Sequence, residues 1–429
     1  MNTGKGMLSG QDAAAGRVSA FRLRGAQPAD DGVARVAVQA QGQPRPVLLF
    51  VVNVAWFFCL HRLHLARAAQ FAGYEVHVAT VPDTPAHVVR IREAGLHYHE
   101  IRLRRGKSNA LEELRLTRSL YRLYRRIHPD IVHHVTIKPI LCGTLAARLA
   151  RVPAIVNAIS GLGFVFVASG LWASLRRFAV TTAYRMLFAR RALRIIFENS
   201  DDLALFEKRG VSRPGQAKLI RGAGVDLEKF RPRPKSDGPP LIMLAARMIW
   251  IKGIQEFCEA ARLVRAAGLD ARFVLVGRAD RENPTSVPES WLSAQQHASG
   301  VEWLGHKDDM TSLYPAAHVI CLPSYGEGVP TVLLEAAACG CAIVATDVPG
   351  CREVVEHNST GLLVPPRDPR ALAAALSALI TDRSLRNRLA AAALAKVHAE
   401  FSIQLVQRST LELYSELLSE DLLESSEKC

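Results

Sequence analysis

The segment that decides the fold runs from Gly326 to Ala336 and reads Gly-Glu-Gly-Val-Pro-Thr-Val-Leu-Leu-Glu-Ala. It follows an apolar run, His318 to Pro323, that predicts a buried parallel strand. Two glycines and a proline predict a turn, and Thr331 to Cys339 predicts a helix that ends at Gly340. A glycine-rich turn before a helix N-terminus offers free N–H groups and a favourable dipole to a phosphate group.

Two glutamates bracket this helix start, Glu327 in the turn and Glu335 about two helical turns later. Carboxylates at these places suit the hydroxyl groups of a nucleotide sugar, since an ionised carboxylate only accepts hydrogen bonds. Taken alone, the pair is equally consistent with two solvated carboxylates on a helix surface. The choice between the two readings therefore depends on the neighbouring segments.

Those neighbours favour a binding site. A predicted strand from Leu241 leads into a loop with two cations, Arg247 and Lys252, and Gly253 precedes the next predicted helix. Further along, Ala342 to Gly350 predicts another strand and turn. Loops that follow parallel strands converge at one edge of a sheet, so the cations and glutamates are expected to meet there.

On these residues the chain resembles glycosyltransferase family 4, the retaining enzymes of GT-B architecture. The Arg-x4-Lys-Gly and Glu-x7-Glu elements carry the resemblance, which extends over roughly residues 46–420. It implies an α/β fold with two doubly wound, Rossmann-like domains that face a cleft, and a C-terminal helix that crosses back to the first domain. It also implies a nucleoside-diphosphate sugar donor, expected to be UDP-linked.

Three segments of the first half resemble one branch of that family. They are residues 50–63, 132–139 and 157–164, and the branch extends polyprenyl-diphosphate-linked glycans such as O-antigen repeat units. The expected product is thus a lipid-linked saccharide in lipopolysaccharide O-antigen or similar synthesis, made by a hexosyl- or N-acetylhexosaminyltransferase. Many family members carry a Gly-Gly pair after the first strand, whereas residues 53–58 of this chain contain no glycine.

The resemblance assigns roles to individual residues. Arg247, Lys252 and Glu327 are expected at the catalytic centre, with the two cations stabilising the departing diphosphate. Glu335 is expected to accept both ribose hydroxyls. The remaining expected donor contacts are Gly253, Gly277, Arg278, Gly305, His306, Gly326, Gly328, Val329, Pro330 and Thr331. The candidate acceptor contacts are His61, His133, His134 and Lys138, although lone histidines in such positions are more often structural.

No metal or other cofactor is expected. The chain contains no Asp-x-Asp motif, and Arg247 and Lys252 would neutralise the diphosphate in place of a divalent ion. A nucleotide-sugar 2-epimerase on the same fold is the alternative enzyme. A dinucleotide oxidoreductase is disfavoured because neither half opens with Gly-x-Gly-x-x-Gly.

Charge is distributed unevenly along the chain. Residues 1–235 hold 37 Lys and Arg against 16 Asp and Glu, so their net charge is +21. The net charge of the whole chain is only +14, because the remaining residues are net negative. A four-residue cluster precedes a predicted arginine-rich helix; it comprises Arg102, Arg104, Arg105 and Lys107. This pattern suits either a solvated face or an anionic membrane surface. Nucleic acid is disfavoured because no recognition helix or aromatic-basic platform is present.

Other features predict a cytoplasmic protein that binds the inner face of the membrane peripherally. The eight cysteines have no zinc spacing and read as reduced thiols. Residues 1–44 predict a disordered extension without a signal-peptide core. Val47 to Leu60 is apolar but too short to span a bilayer. Gly161 to Leu175 is a second apolar stretch, suited either to core packing or to contact with lipid.

Four regions are predicted to follow the extension: an acceptor domain at 45–230, a linker at 231–240, a nucleotide-sugar domain at 241–381, and C-terminal helices at 382–429. The last helix is expected to pack back on the first domain. In the first domain, a helix is predicted from His61 to Ala72. Its predicted strands are Val47–Val52, Glu75–Thr80, Ile131–His134, Ala154–Asn157, Arg194–Glu198 and Lys218–Arg221. The strands of the second domain are predicted near Leu241, Arg272, Val301, His318, Ala342 and Leu362.

Overall fold

The computed structural model describes residues 44–104, 109–161, 181–190, 192–280 and 283–427, with side chains up to residue 420. Two parallel sheets, each covered by helices, form two α/β domains. The predicted fold class is thereby confirmed. The predicted extension at the N-terminus, Arg105, Lys107 and most of the apolar stretch from Gly161 to Leu175 lie outside the described residues.

The first sheet has seven parallel strands in the order β3-β2-β1-β4-β5-β6-β7. They are β1 Val47–Val52, β2 Glu75–Thr80, β3 His97–Glu100, β4 Ile131–Val135, β5 Ala154–Ile159, β6 Leu193–Phe197 and β7 Ala217–Leu219. The strand order reverses between β1 and β4, which opens a crevice at the carboxyl ends of these strands. Six of the seven were predicted. The edge strand β3 was missed because it is short and polar.

The described helices of this domain are α1 Ala55–His61, α2 Leu63–Phe71, α3 Pro85–Glu93, α4 Ala110–Ile127, α5 Ile137–Ala150 and α6 Ser200–Lys208, and residues 181–188 are also helical. The single helix predicted from His61 to Ala72 is wrong. Helix α1 begins earlier, and Arg62 leaves helical geometry with φ −131° and ψ −13° between α1 and α2. The break directs the Arg62 side chain inward, where it is 5% exposed.

The second sheet has six parallel strands in the order β10-β9-β8-β11-β12-β13, and all six were predicted. They are β8 Leu241–Ala245, β9 Arg272–Val276, β10 Val301–Trp303, β11 Val319–Leu322, β12 Ala342–Thr346 and β13 Leu362–Val364. The described helices that follow are α7 Ile254–Ala266, α8 Glu289–Ala298, α9 Leu313–Ala316, α10 Thr331–Ala338, α11 Cys351–Val354, α12 Pro369–Thr381, α13 Arg383–Glu400 and α14 Ile403–Glu427. The order reverses between β8 and β11, so the loops after these two strands meet.

The last two helices belong to different domains. Helix α13 packs on the second sheet, whereas α14 lies against α2 and β5 and buries Tyr414 in the core of the first domain. Where the chain crosses between the domains, the Val225 N–H donates to the Phe401 carbonyl at 2.8 Å and the Ile403 N–H donates to the Val225 carbonyl at 3.1 Å. The two crossings are thus joined side by side.

Two further properties concern the whole described chain. Its seven cysteines are buried and unpaired, as the sequence indicates. Within the same ranges, no helix is both long and apolar enough to cross a bilayer.

Candidate active site

The loop after β8 reaches across to the end of β11. Gly253 has φ +73°, and a Cβ at this position would lie 2.1 Å from the Pro323 carbonyl oxygen. Only glycine combines this backbone conformation with so close an approach. The Arg247 guanidinium donates to Asp280 at 2.8 Å from the next loop of the sheet. The predicted cations therefore stand at the edge of the second sheet that faces the first domain.

Lys252 and Glu327 form the central ion pair of this edge. The Lys252 ammonium donates to Glu327 Oε1 at 2.5 Å, and the two side chains are 18% and 10% exposed. The backbone aligns them, because the Tyr325 N–H donates to the Ile251 carbonyl at 2.9 Å. A largely buried ion pair of this kind is a strong, charge-assisted contact.

The glycine-rich turn is enclosed on two sides. A Cβ on Gly350, at φ +76°, would lie 1.5 Å from the Gly328 carbonyl oxygen. A Cβ on Gly328 would lie 2.7 Å from the carbonyl oxygen of Ser160, which follows β5 of the first domain. The turn is therefore packed between the loop after β12 and the first domain, and these glycines allow the backbones to touch.

Helix α10 begins directly after this turn, at Thr331. Pro330 at its N-cap offers no side-chain hydrogen bond, and the Leu333 N–H donates to the Pro330 carbonyl at 3.0 Å, which leaves the N–H groups of Thr331 and Val332 to an anion. Glu335 lies on the same helix beside Tyr314, whose hydroxyl hydrogen-bonds it. Burial raises the pKa of Glu335 to about 7, and the Tyr314 hydrogen bond opposes that rise. This carboxyl is poised to change charge near neutral pH.

The remaining expected donor residues lie along the ends of β9 and β10. The Gly277 N–H donates to the Gly305 carbonyl at 2.8 Å, and a Cβ on Gly277 would lie 1.8 Å from the Ala246 carbonyl oxygen. Arg278 is exposed next to Gly277. His306 Nε2 lies 3.2 Å from Asp308, also at the surface. All of these residues share the edge of the sheet that carries Arg247.

Two of the candidate acceptor contacts, His133 and His134, are instead core residues. His134 donates from Nδ1 to Asn157 Oδ1 at 2.8 Å and accepts from the Tyr124 hydroxyl at 3.0 Å. His133 Nδ1 lies 2.5 Å from the Tyr414 hydroxyl on the opposite face of the sheet. Both side chains are at most 1% exposed, and burial lowers the pKa of each. They hold helices to both faces of β4.

The other two candidates lie nearer the cleft. His61 packs against Phe57 with ring centroids 4.4 Å apart, and burial lowers its pKa to about 3, which keeps the imidazole neutral. Lys138 donates to the Arg104 carbonyl at 2.7 Å. It follows Thr136, a β-branched residue held at φ +75° at the end of β4. Strain of this kind is typical of functional loops.

Sequence reasoning missed a buried ion pair beneath the donor turn. Arg62 donates to Glu198 at 2.6 Å, and the two residues are 136 positions apart in the chain. Glu198 also accepts a hydrogen bond from the backbone of Val329, so it joins the first domain to the donor turn. A second contact between the domains involves Glu353, which accepts from Ser200 and, at 2.9 Å, from Arg221. No local pattern marks either pair.

Both halves match models of glycosyltransferase families. Residues 239–382 match the model described as glycosyl transferases group 1, and residues 47–199 match the model described as glycosyl transferase 4-like. The two matches correspond to the second and first domains.

Individual relatives extend the similarity over nearly the whole chain. The N,N'-diacetylbacillosaminyl-diphospho-undecaprenol alpha-1,3-N-acetylgalactosaminyltransferase of Campylobacter jejuni is 28% identical, over 83% of this chain and 95% of that protein. The UDP-Gal:alpha-D-GlcNAc-diphosphoundecaprenol alpha-1,3-galactosyltransferase of Escherichia coli is 28% identical over 64% of this chain and 72% of its own. The crystal structure of Anabaena HepE with UDP and glucose superimposes with a TM-score of 0.69 at 20% identity, covering 86% of this chain and 99% of that one. The chain is a glycosyltransferase and belongs to the family 4 enzymes of GT-B fold.

Proposed function

We propose that this glycosyltransferase moves a hexose or N-acetylhexosamine, with retention, from a UDP-sugar to a polyprenyl-diphosphate-linked saccharide. The product would enter a cell-surface polysaccharide such as an O-antigen. The observation that carries the proposal is the Lys252–Glu327 pair beside the open N-terminus of α10. Two relatives that match most of their length act, by their names, on saccharides linked to diphospho-undecaprenol or diphosphoundecaprenol.

The leaving diphosphate gains negative charge as the glycosidic bond breaks. Groups that hold this charge more tightly in the transition state than in the ground state lower the barrier. A lysine ammonium carries three donors, so Lys252 can keep Glu327 and still reach a phosphate oxygen. Arg247 adds a planar fork from the same loop. With the N–H groups of α10, these donors supply the charge stabilisation without a divalent ion, and no metal is proposed for the reaction.

The two glutamates would contact different parts of the donor. Glu335, in the second turn of α10, would accept ribose hydroxyls once the diphosphate occupies the helix N-terminus. Glu327, which is held by Lys252, would orient the transferred sugar by a hydroxyl contact. Retention would follow from attack on the same face as the departing phosphate, whose oxygen takes the acceptor proton.

The acceptor's lipid requires the enzyme to work at a membrane surface, and α4 is the element best suited to contact it. Its exposed arginines stand at spacings of three and four residues, which places them along one side of the helix; they are Arg115, Arg118, Arg122 and Arg126. None forms an ion pair with a described carboxylate. Together with β3 they line a groove of about 710 Å³.

Exposed apolar side chains accompany these arginines. On α4, Leu111 is 53%, Leu114 63% and Tyr121 36% exposed. Arginines mixed with solvent-exposed leucines suit the boundary between headgroups and acyl chains. The proposed location is therefore the cytoplasmic face of the membrane, with peripheral attachment through the first domain.

A transfer assay tests the proposed reaction. Radiolabelled UDP-sugars, with GDP- and dTDP-sugars as comparison, are incubated with the protein and a short-chain polyprenyl-diphosphate disaccharide. Label is expected in the organic extract with one or a few UDP-sugars. Label that remains in the nucleotide fraction as an interconverted sugar would support the epimerase alternative and contradict the proposal.

Liposome sedimentation tests the proposed membrane contact. Binding to anionic vesicles is expected to exceed binding to zwitterionic ones, and salt is expected to weaken it as the Debye length shortens. The double variant Arg118→Gln/Arg122→Gln should lose much of this binding. The matched control Arg383→Gln/Arg388→Gln, which removes the same charge from exposed positions of α13, should bind as the wild type does. Equal losses in both variants would contradict a role for α4.

A further inference from the structure

A cluster of imidazoles and one carboxylate lies at the start of strands β2 and β3, away from the donor cleft. The parallel register pairs His77 with His97 and Ala79 with His99. Because side chains alternate along a strand, Glu75 and His77 of β2 share a sheet face with His97 and His99 of β3. The described structure therefore places a Glu-x-His pair directly beside a His-x-His pair.

Distances within the cluster match those of a metal site. Potential ligand atoms of Glu75, His77 and His97 all lie within 4.8 Å of one another. The Glu75 Oε1–His77 Nε2 distance is 2.9 Å, and the Glu75 Oε1–His97 Nε2 distance is 3.7 Å. A tetrahedral zinc ion with bonds of roughly 2.0–2.1 Å separates its ligands by about 3.3 Å, midway between these values. The three ligand atoms therefore lie close enough together to hold one ion.

A fourth residue fixes the orientation of the central ligand. His77 Nδ1 lies 2.9 Å from His99 Nε2, and the two rings are stacked 5.2 Å apart. When Nε2 of His77 binds a metal, its Nδ1–H can donate to His99, which is the outer contact that ligating histidines usually have.

The cluster is also open to solvent on one side. The side chains of Glu75 and His97 are 44% and 59% exposed, whereas that of His77 is 11% exposed. An ion can thus enter from water and keep one position for a water molecule or an outside ligand. Glu75 begins β2 and the cleft lies at the end of that strand, roughly 16 Å away at 3.3 Å per residue. The site is separate from the sugar-transfer centre.

We propose that Glu75, His77 and His97 bind one late first-row divalent ion, with zinc as the natural candidate, and that His99 positions His77. Imidazole nitrogens with a carboxylate are the donor set such ions prefer. The ion ties the edge strand β3 to β2.

Cobalt substitution tests the proposal on the full chain, purified without a histidine tag and freed of metal with a chelator that is then removed. Co²⁺ titration should give visible d–d absorption of tetrahedral character at one equivalent, and Zn²⁺ should displace it. His97→Ala, at an exposed position that leaves the fold intact, should weaken binding by at least about tenfold to a hundredfold. His87→Ala is the matched control, because the His87 side chain hydrogen-bonds Thr84 and Asp83, outside the cluster, and it should bind as the wild type does.

Thermal unfolding provides a second readout. Excess Zn²⁺ should raise the midpoint of the wild type and of His87→Ala but not that of His97→Ala. Equal Co²⁺ affinity in the wild type and His97→Ala, or octahedral spectra without saturation, would overturn the proposal. Sugar transfer plays no part in either readout, so failure here is distinct from failure of the proposed reaction.

Discussion

The buried pair of Arg62 and Glu198 gives a sharp test of how the first domain supports the donor turn. The two residues are 5% and 6% exposed and their charged atoms are 2.6 Å apart. Arg62→Met keeps the length of the side chain and removes its charge. We expect this variant to be destabilised, and we expect the loss to grow as the pH rises.

The size of the effect follows from what happens to the Glu198 carboxyl. Removing one partner of a buried ion pair costs roughly 3–5 kcal/mol. Burial raises the pKa of Glu198 while Arg62 opposes that rise, so without Arg62 the folded protein binds a proton there. When the pKa of a carboxyl is higher in the folded than in the unfolded protein, the bound proton stabilises the folded state at low pH. That stabilisation is lost as the pH rises to the folded pKa. The deficit should widen by at most about 1.4 kcal/mol per pH unit, over the range in which Glu198 is ionised in the folded wild type but still protonated in the folded variant.

Urea unfolding of three proteins at several pH values measures this. They are the wild type, Arg62→Met, and the double variant Arg62→Met/Glu198→Gln. Loss of Arg62 also alters the charge near His61 and His64, but this change is common to both variants, so their difference isolates Glu198. The double variant should recover much of the stability and lose the pH dependence. A deficit in Arg62→Met below about 1 kcal/mol, the value of an exposed pair, or one that is independent of pH, would refute the reasoning.

Four further predictions concern the donor site. Lys252→Ala and Arg247→Ala should each lower turnover by more than about tenfold, because removing one transition-state hydrogen-bond donor typically lowers kcat by a factor of about 10²–10³. Initial rates measured on folded protein check this. Glu335→Gln should raise the donor KM. In the wild type, this KM should fall as the pH rises through about 7, where Glu335 ionises, and the Gln variant should lack that trend. Glu327→Gln should mainly lower kcat, as saturation kinetics will show. EDTA should leave transfer intact; complete loss restored by Mg²⁺ or Mn²⁺ would reveal a catalytic metal.

Much of the fold could be predicted because its signals are local. Apolar runs such as Leu241–Ala245 need burial on both faces, so they predict parallel strands without knowledge of their partners. The donor turn could also be predicted, since Gly326, Gly328 and Pro330 are typical turn residues. Strand β3 could not be predicted, because its residues, His97 to Glu100, match the polar pattern of a loop.

The errors share one physical origin, which is that partners distant in sequence decide the role of a polar residue. His133 and His134 interrupt an apolar strand and therefore resemble ligand contacts. Their hydrogen-bond partners, Tyr414 and Asn157, come from a helix near the C-terminus and from the neighbouring strand. The Arg62–Glu198 pair is invisible for the same reason. Sequence alone supplies the residue types, whereas the topology decides which of them meet.

The joined crossings at Val225 and Ser402 have a mechanical consequence. One flexible tether would let the domains swivel about any axis, but two tethers hydrogen-bonded side by side behave as a door hinge with one easy direction of rotation. Opening would therefore move Lys252 and Glu327 away from the first domain together, because both belong to the second domain. The Glu198–Val329 contact joins the two domains, so it must break when they open. We expect the sugar nucleotide to enter, and the nucleotide product to leave, by an opening motion that separates Glu198 from Val329 and leaves the Lys252–Glu327 ion pair assembled.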